Sequence, residues 1–322
     1  MPATVTHAYL AKDLYDILPE YISSKIDLDR TKMFAQSTDS IMFYNLFSLK
    51  SGKNFRRFQM YFHTHKTREF FINLLNYVKE HNIDDTDTYS FIVGFISHYV
   101  LDSTAHPYII YKTGYFNKKD RSTYKYNGLH HFMEAFLDND LIKRREKTNP
   151  YKFNIAKYCF NTKKFSKELN DTIDYVFYTT YNVKNMSNKY YKSLKQMRTF
   201  LKLFRRDKHG FKKFFYKILD TFTPRSVFRF ESISYHYTLE DKHNYLNNDH
   251  TMWRNPADYN ITSKESFVDL YLRSLEETRN IVIQVFDYLH GKDVDLDELF
   301  LNMSYASGLD CDKEKELKFF EF

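Results

Sequence analysis

Between Phe91 and Tyr108 the chain reads FIVGFISHYVLDSTAHPY, a stretch apolar nearly all the way round a helix that still carries two histidines and an aspartate. Such a pattern belongs in the middle of a helical domain, with no face left for solvent. His98, Asp102 and His106 are spaced four residues apart. At ~100° per residue they stack on one face, within roughly 80° of one another. A buried carboxylate without partners is too costly to keep. Two imidazoles and a carboxylate converging on one point are hard to explain as packing and easy to explain as ligands of a divalent metal.

The rest of the chain can supply the helices that bury such a stretch. Seven glycines and six prolines in 322 residues leave few places to turn. That scarcity favours long helices joined by short polar loops over a many-turned β fold. An all-α, single multi-helix domain is therefore expected over residues 1–322, with a central buried metal-binding helix, a metal core in 1–145 and a helical remainder in 146–322. The net charge of +7 permits a phosphate-bearing or membrane-surface partner without requiring one. Cys159 and Cys311, the only cysteines, lack metal-site spacing and suggest a reduced, cytoplasmic chain. No signal peptide is visible, and no apolar run approaches the ~20 residues of a membrane span.

Other candidate ligands are scattered ahead of and behind the central stretch. His7 lies in the first turn of a helix expected over 3–18, which Pro19 stops. Asp39 sits among apolar residues in 33–47. A helix expected over 58–77 carries His63 and His65, which point to different faces, so at most one meets the core. After a polar, basic loop at 111–127, a helix over 128–142 places His130 and Glu134 on one face, with Asp138 continuing the row and His131 rotated away by ~100°. Each has a plainer reading alone: a capping histidine for His7, a turn or N-cap for Asp39, a surface ion pair for His130 and Glu134. Their company argues otherwise, since eight of the thirteen histidines fall within the first 131 residues.

The later half differs in character. Tyr190, Leu194, Met197, Leu201 and Phe204 form an apolar stripe on a helix at about 189–206 whose opposite face is basic. From Lys184 to Lys217 there are twelve Lys or Arg and one acid, Asp207. The plain reading is a solvated face on a core-packing helix; the functional one is a dock for an anionic membrane surface. A long helix is expected from Lys264 to His290, with Thr262 and Glu265 at capping-box spacing and Gly291 ending it. There is no glycine-rich phosphate loop, no G-x-S-x-G and no Cys-x-x-Cys.

Taken together, Gly94-x-x-x-His98-x-x-x-Asp102-x-x-x-His106-Pro107 followed by His130-x-x-x-Glu134, with His7, Asp39 and His63 upstream, resembles the zinc-dependent phospholipase C family. Its all-helical fold is shared with the S1/P1-type nucleases. The resemblance implies a first zinc held by Asp39, His63, His98 and Asp102, and a second held by His106, His130 and Glu134. It implies a third held in part by His7 with Asp102 bridging. In secreted members an N-terminal tryptophan also grips that third ion, whereas this chain begins Met1-Pro2, so two or three Zn2+ are expected. The activity implied is hydrolysis of a phosphodiester or phosphomonoester, lipid or soluble, by metal-activated hydroxide attack on phosphorus, with Asp39 doubling as the base. A single-strand nuclease and a catalytically lapsed metal-stabilised binding module are the alternatives, and nucleic acid ranks below lipid as a partner.

Overall fold

In a computed structural model, which describes residues 4–48, 52–205, 207–226, 228–235, 241, 243–313 and 315–321, the central stretch is the middle of a helix of 28 residues, Thr86–Thr113. Asp85 caps it, its side chain accepting from Thr88 N. Among the described residues, ten α-helices have seven residues or more. They are α1 (Thr4–Ile17), α2 (Leu28–Phe34), α3 (Phe58–Thr64), α4 (Thr67–Glu80), α5 (Thr86–Thr113), α6 (Leu129–Glu146), α7 (Lys167–Tyr181), α8 (Met186–Phe200), α9 (Phe211–Phe222) and α10 (Phe267–Leu289). The all-α architecture expected from the scarcity of breakers is what forms. Among the described residues the strands are Trp253–Arg254 and Thr262–Ser263, an antiparallel pair in register Trp253 to Ser263. No described helix is long and apolar enough to cross a membrane.

Helix α5 is buried on every side because α1, α2, α6, α7 and α10 all pack on it. Gly94 sets how near α2 comes. A Cβ at that position would stand 2.7 Å from Phe34 Cβ and 2.8 Å from Ala35 N. Only a glycine allows that approach, and it brings the Ala35 carbonyl within 2.9 Å of His98 Nδ1. Gly94→Ala will therefore lower the melting temperature by several degrees. Overpacking against backbone costs about 1–3 kcal/mol and outweighs the ~0.5–1 kcal/mol gained in helix propensity. An unchanged melting temperature in calorimetry would show that α2 retreats at no cost.

Three local expectations need correcting. The helix expected over 58–77 is broken into α3 and α4 at His65, which is extended, and Lys66, whose φ is +56°. A distant segment makes the break: Tyr305 N donates to the His63 carbonyl (2.8 Å), and Asn302 Oδ1 accepts from Thr67 N (3.1 Å), satisfying groups a continuous helix would have used. The loop expected from residue 111 begins later, because α5 runs through Pro107 and on to Thr113. The proline ring leaves the Ser103 carbonyl without a helical donor, and Gly308, at φ +64°, lies against that oxygen where any Cβ would come within 2.5 Å. Finally, the capping box of α10 is Ser266 with Asp269, not Thr262 with Glu265.

The basic helix spans Met186–Phe200 and continues as a π-helical turn over Leu201–Arg205; Arg206 lies outside the described residues. Its stripe of Tyr190, Leu194, Met197 and Leu201 is buried in the main core, while Lys192, Lys195 and Arg198 form the outer face. Arg205 turns inward instead, pairing with the Tyr235 hydroxyl beside Asp138.

Candidate metal centre

Five elements deliver the candidate ligands. His7 comes from the first turns of α1, Asp39 from the 3-10 turn Ser37–Phe43, and His63 from the end of α3. Helix α5 supplies His98, Asp102 and His106, and α6 supplies His130 and Glu134. They gather into three groups whose donor atoms each lie within 4.8 Å: His7, His98 and Asp102; Asp39, His63 and His98; and His106, His130 and Glu134. All eight residues singled out in the sequence thus fall in one neighbourhood.

Asp102 is the hub. Its Oδ1 lies 3.1 Å from His7 Nε2, and its Oδ2 lies 3.1 Å from His98 Nε2 and 3.5 Å from His106 Nδ1. Around the rest of the cluster, His63 Nε2 is 3.5 Å from Asp39 Oδ1, while Glu134 Oε1 is 3.0 Å from His130 Nε2 and 3.5 Å from His106 Nε2. The His7 and His98 rings stack at 4.3 Å.

Backbone carbonyls orient the imidazoles. The Nδ1–H of His98 donates to the Ala35 carbonyl (2.9 Å) and that of His106 to the Tyr305 carbonyl (2.9 Å), turning both Nε2 atoms toward the carboxylates. Gln59 Nε2 donates to Asp39 Oδ1 (2.8 Å) and lies 2.9 Å from His63 Nδ1. Asp138 holds α1 in place: its buried carboxylate accepts from Val5 N (3.2 Å) and Thr6 N (2.9 Å), two first-turn amides with no partner inside the helix. Burial pushes Asp138 up to about 6.

Sequence reasoning saw Asp138 only as continuing the row of His130 and Glu134, and it missed Gln59. Both carry a helical signal, since Gln59 precedes His63 by four residues and Asp138 follows Glu134 by four. Tyr305, some two hundred residues from His106, carries none.

The protonation states suit cation binding. Burial would raise Asp102, but His106, His98 and His7 hold it well below the usual carboxylate range. Glu134 is likewise held well below its usual value against burial, by His130 and His106. Burial lowers His63 to about 3 and also lowers His7 and His130. His98 is raised because Asp102 outweighs its burial, and His106, beside both Asp102 and Glu134, is pushed up to about 9. Ionised carboxylates facing mostly neutral imidazoles are the ligand forms a divalent ion takes.

Buried polar atoms provide a direct test of fit. His7 Nδ1, His98 Nε2 and Asp102 Oδ2 are buried with no hydrogen-bond partner. The last two face each other at 3.1 Å without hydrogen-bond alignment. Orphaned donors and acceptors of this kind are costly in a protein interior, and a cation drawing on them removes the cost. The donor set of imidazole nitrogens and carboxylate oxygens suits zinc.

The neighbourhood is closed at one end and open at the other. His7, Asp39, His63 and His98 are buried, whereas the side chains of His106, His130 and His131 are 12, 26 and 26% exposed. His131 Nδ1 stands 3.7 Å from Glu134 Oε2 at the rim. His65 is turned outward, stacked on Tyr61 at 4.2 Å. His65→Ala is accordingly expected to leave metal content and melting temperature unchanged within error; a loss of metal on that change would mean the wrong member of the His63/His65 pair has been chosen.

Comparison with known proteins agrees with this geometry. The family described as zinc dependent phospholipase C matches residues 6–197, well over half of the chain. No curated protein and no solved structure matches it. All eight candidate ligands lie inside the matched segment. With the fold all-helical and the candidate ligands drawn from helices on and around its buried axis, the chain belongs to the zinc-dependent phospholipase C family.

Proposed function

We propose that this chain is a zinc-dependent phosphoesterase of the phospholipase C type, hydrolysing a phosphodiester or phosphomonoester, with a phospholipid headgroup ester as the first choice of substrate. The observation that carries the reading is the convergence of Asp39, Asp102 and Glu134 with five histidines at one site. Two divalent ions leave a formal surplus of +1 over these three carboxylates, and three ions leave +3. Either surplus favours an anionic phosphoester over a neutral peptide or ester.

In this reading Asp39, His63, His98 and Asp102 hold one ion, His106, His130 and Glu134 a second, and His7 with Asp102 contributes to a third. Bound zinc supplies Lewis acidity toward phosphoryl oxygens and lowers the pKa of water toward neutrality. The chain's own part is placement. Gln59 engages one oxygen of Asp39, which leaves the other to accept the proton of an attacking water. The Ala35 and Tyr305 carbonyls fix the rings of His98 and His106 so that little reorganisation is needed at reaction. The less buried His106–His130 end admits the substrate, and the buried Asp39 end excludes bulk water.

Metal analysis of protein purified without added zinc, run beside turnover of a chromogenic phosphodiester, tests the proposal. Two or three zinc ions per chain with chelator-sensitive turnover support it. One tightly held ion with no turnover on phosphodiester, phosphomonoester or oligonucleotide would replace it with a metal-stabilised binding module.

A further inference from the structure

The residues 211–222, FKKFFYKILDTF, form an amphipathic helix, α9, turned inside out for a protein surface. At ~100° per residue Phe211, Phe214, Phe215, Ile218 and Phe222 fall within an arc of roughly 100°. That arc faces solvent: Phe211, Phe214 and Phe222 are 74, 66 and 82% exposed. Tyr216 alone on this helix is buried, its hydroxyl donating to the Phe204 carbonyl at 3.2 Å. Single exposed apolar side chains need no explanation, but a contiguous aromatic stripe does. Cations border it: Lys212 and Lys217 on the helix, one on either side of the arc, and exposed Arg225 just beyond. The acid on the helix, Asp220, is occupied internally, accepting from Phe230 N (2.8 Å) and Glu231 N (2.9 Å).

That latch places the stripe beside the metal centre. Residues 228–233 are tied to α9 through Asp220, and Arg229 donates to the Asp220 carbonyl at 2.8 Å. Phe228 lies 5.4 Å from the ring of His131, which borders Glu134 at the open rim. Asn127, just before α6, donates to the Arg225 carbonyl at 2.6 Å. The aromatic surface and the mouth of the site are therefore neighbours held by hydrogen bonds.

We propose that α9 and the Phe228 turn are the surface by which this chain docks on an anionic phospholipid bilayer, with the His130–His131 mouth meeting the headgroups. This extends the phosphoesterase reading and rests on it for the choice of lipid. Charge favours this occupant, because lysines flanking inserted phenylalanines complement acidic headgroups. Area disfavours a second copy of the chain. A 12-residue helix is ~18 Å long, and one face of it falls well short of the ~800 Å² per partner that a stable protein interface needs. A bilayer imposes no such minimum on the face that enters it.

The test is co-sedimentation of the zinc-loaded full chain with vesicles of phosphatidylcholine alone and of phosphatidylcholine with an equal part of phosphatidylserine. The natural chain is expected to partition onto the acidic vesicles at least tenfold better than Phe211→Ser/Phe214→Ser/Phe222→Ser, and better than onto the neutral ones. The variant leaves Tyr216 and the Asp220 latch in place, and circular dichroism checks that it folds. Turnover of a soluble chromogenic phosphodiester should be equal in the two proteins. Equal partitioning of both proteins, or no binding by the natural chain, overturns the docking surface even where soluble turnover is intact. Phenylalanine-dependent binding without any phosphoester turnover leaves the docking standing and overturns the function. A dimer that dissociates on the triple change, without vesicle binding, assigns the stripe to a second copy instead.

Discussion

Asp102→Asn will cost both metal and stability, and it is expected to do so more than any other single change at the site. The substitution keeps the shape of the side chain and removes the charge that His7, His98 and His106 surround at 3.1–3.5 Å. Breaking a buried charge cluster by removing one partner costs about 3–5 kcal/mol. In a chain of this size that is roughly 10 °C of melting temperature. Turnover on a chromogenic phosphodiester should fall by more than the ~10–100-fold seen when only an outer-shell partner of a ligand is changed. Zinc content by atomic absorption and melting temperature by calorimetry are the two readouts. A variant that keeps its full zinc complement and its melting temperature would remove Asp102 from the centre of the site.

The second large effect is expected from removing the metal. Zinc at a thousand times its dissociation constant stabilises the folded state by about 4 kcal/mol over the stripped protein. The difference should grow with pH. In stripped protein His106 holds its proton up to about 9, against an ordinary value of 6.5. A raised imidazole stabilises the folded state fully below pH 6.5, and that contribution is lost as pH climbs through 9. The stripped chain should therefore melt lower at pH 9 than at pH 6.5. Zinc displaces that proton, so zinc affinity should rise across the same window while the loaded protein is spared the loss. Melting curves with chelator and with zinc at both pH values measure it. Affinity that stays level or falls with rising pH would mean that His106 does not surrender a proton to the metal.

How much of this was legible in the sequence depended on how far a residue's partners lie along the chain. The four-residue rhythm of His98, Asp102 and His106 and of His130 and Glu134 is a local property, because helical geometry alone puts such residues on one face. The scarcity of glycine and proline likewise acts locally, by leaving helices uninterrupted. His7, Asp39 and His63 carry no rhythm, and only their likeness to a family pattern joined them to the rest. The break at His65–Lys66 was hidden because its cause is Asn302 and Tyr305, more than two hundred residues away. A separation of 199 residues hid the carbonyl that orients His106. The exposure of α9 was equally hidden. Its amphipathic pattern is that of a helix packing on a core, and nothing in 211–222 says that the apolar side has no core to meet.

The sequence by itself determined that this chain is helical, that its most apolar helix carries ionisable groups in ligand spacing, and that those groups suit a divalent cation. These follow from the backbone repeat and from the cost of burying charge, which need no knowledge of neighbours. Tertiary structure alone decided where the helix carrying His63 breaks, which end of the cluster opens to solvent, and which amphipathic helix keeps its aromatic face outside. Those outcomes depend on which surfaces meet, and that is set by contacts between residues the chain order keeps far apart.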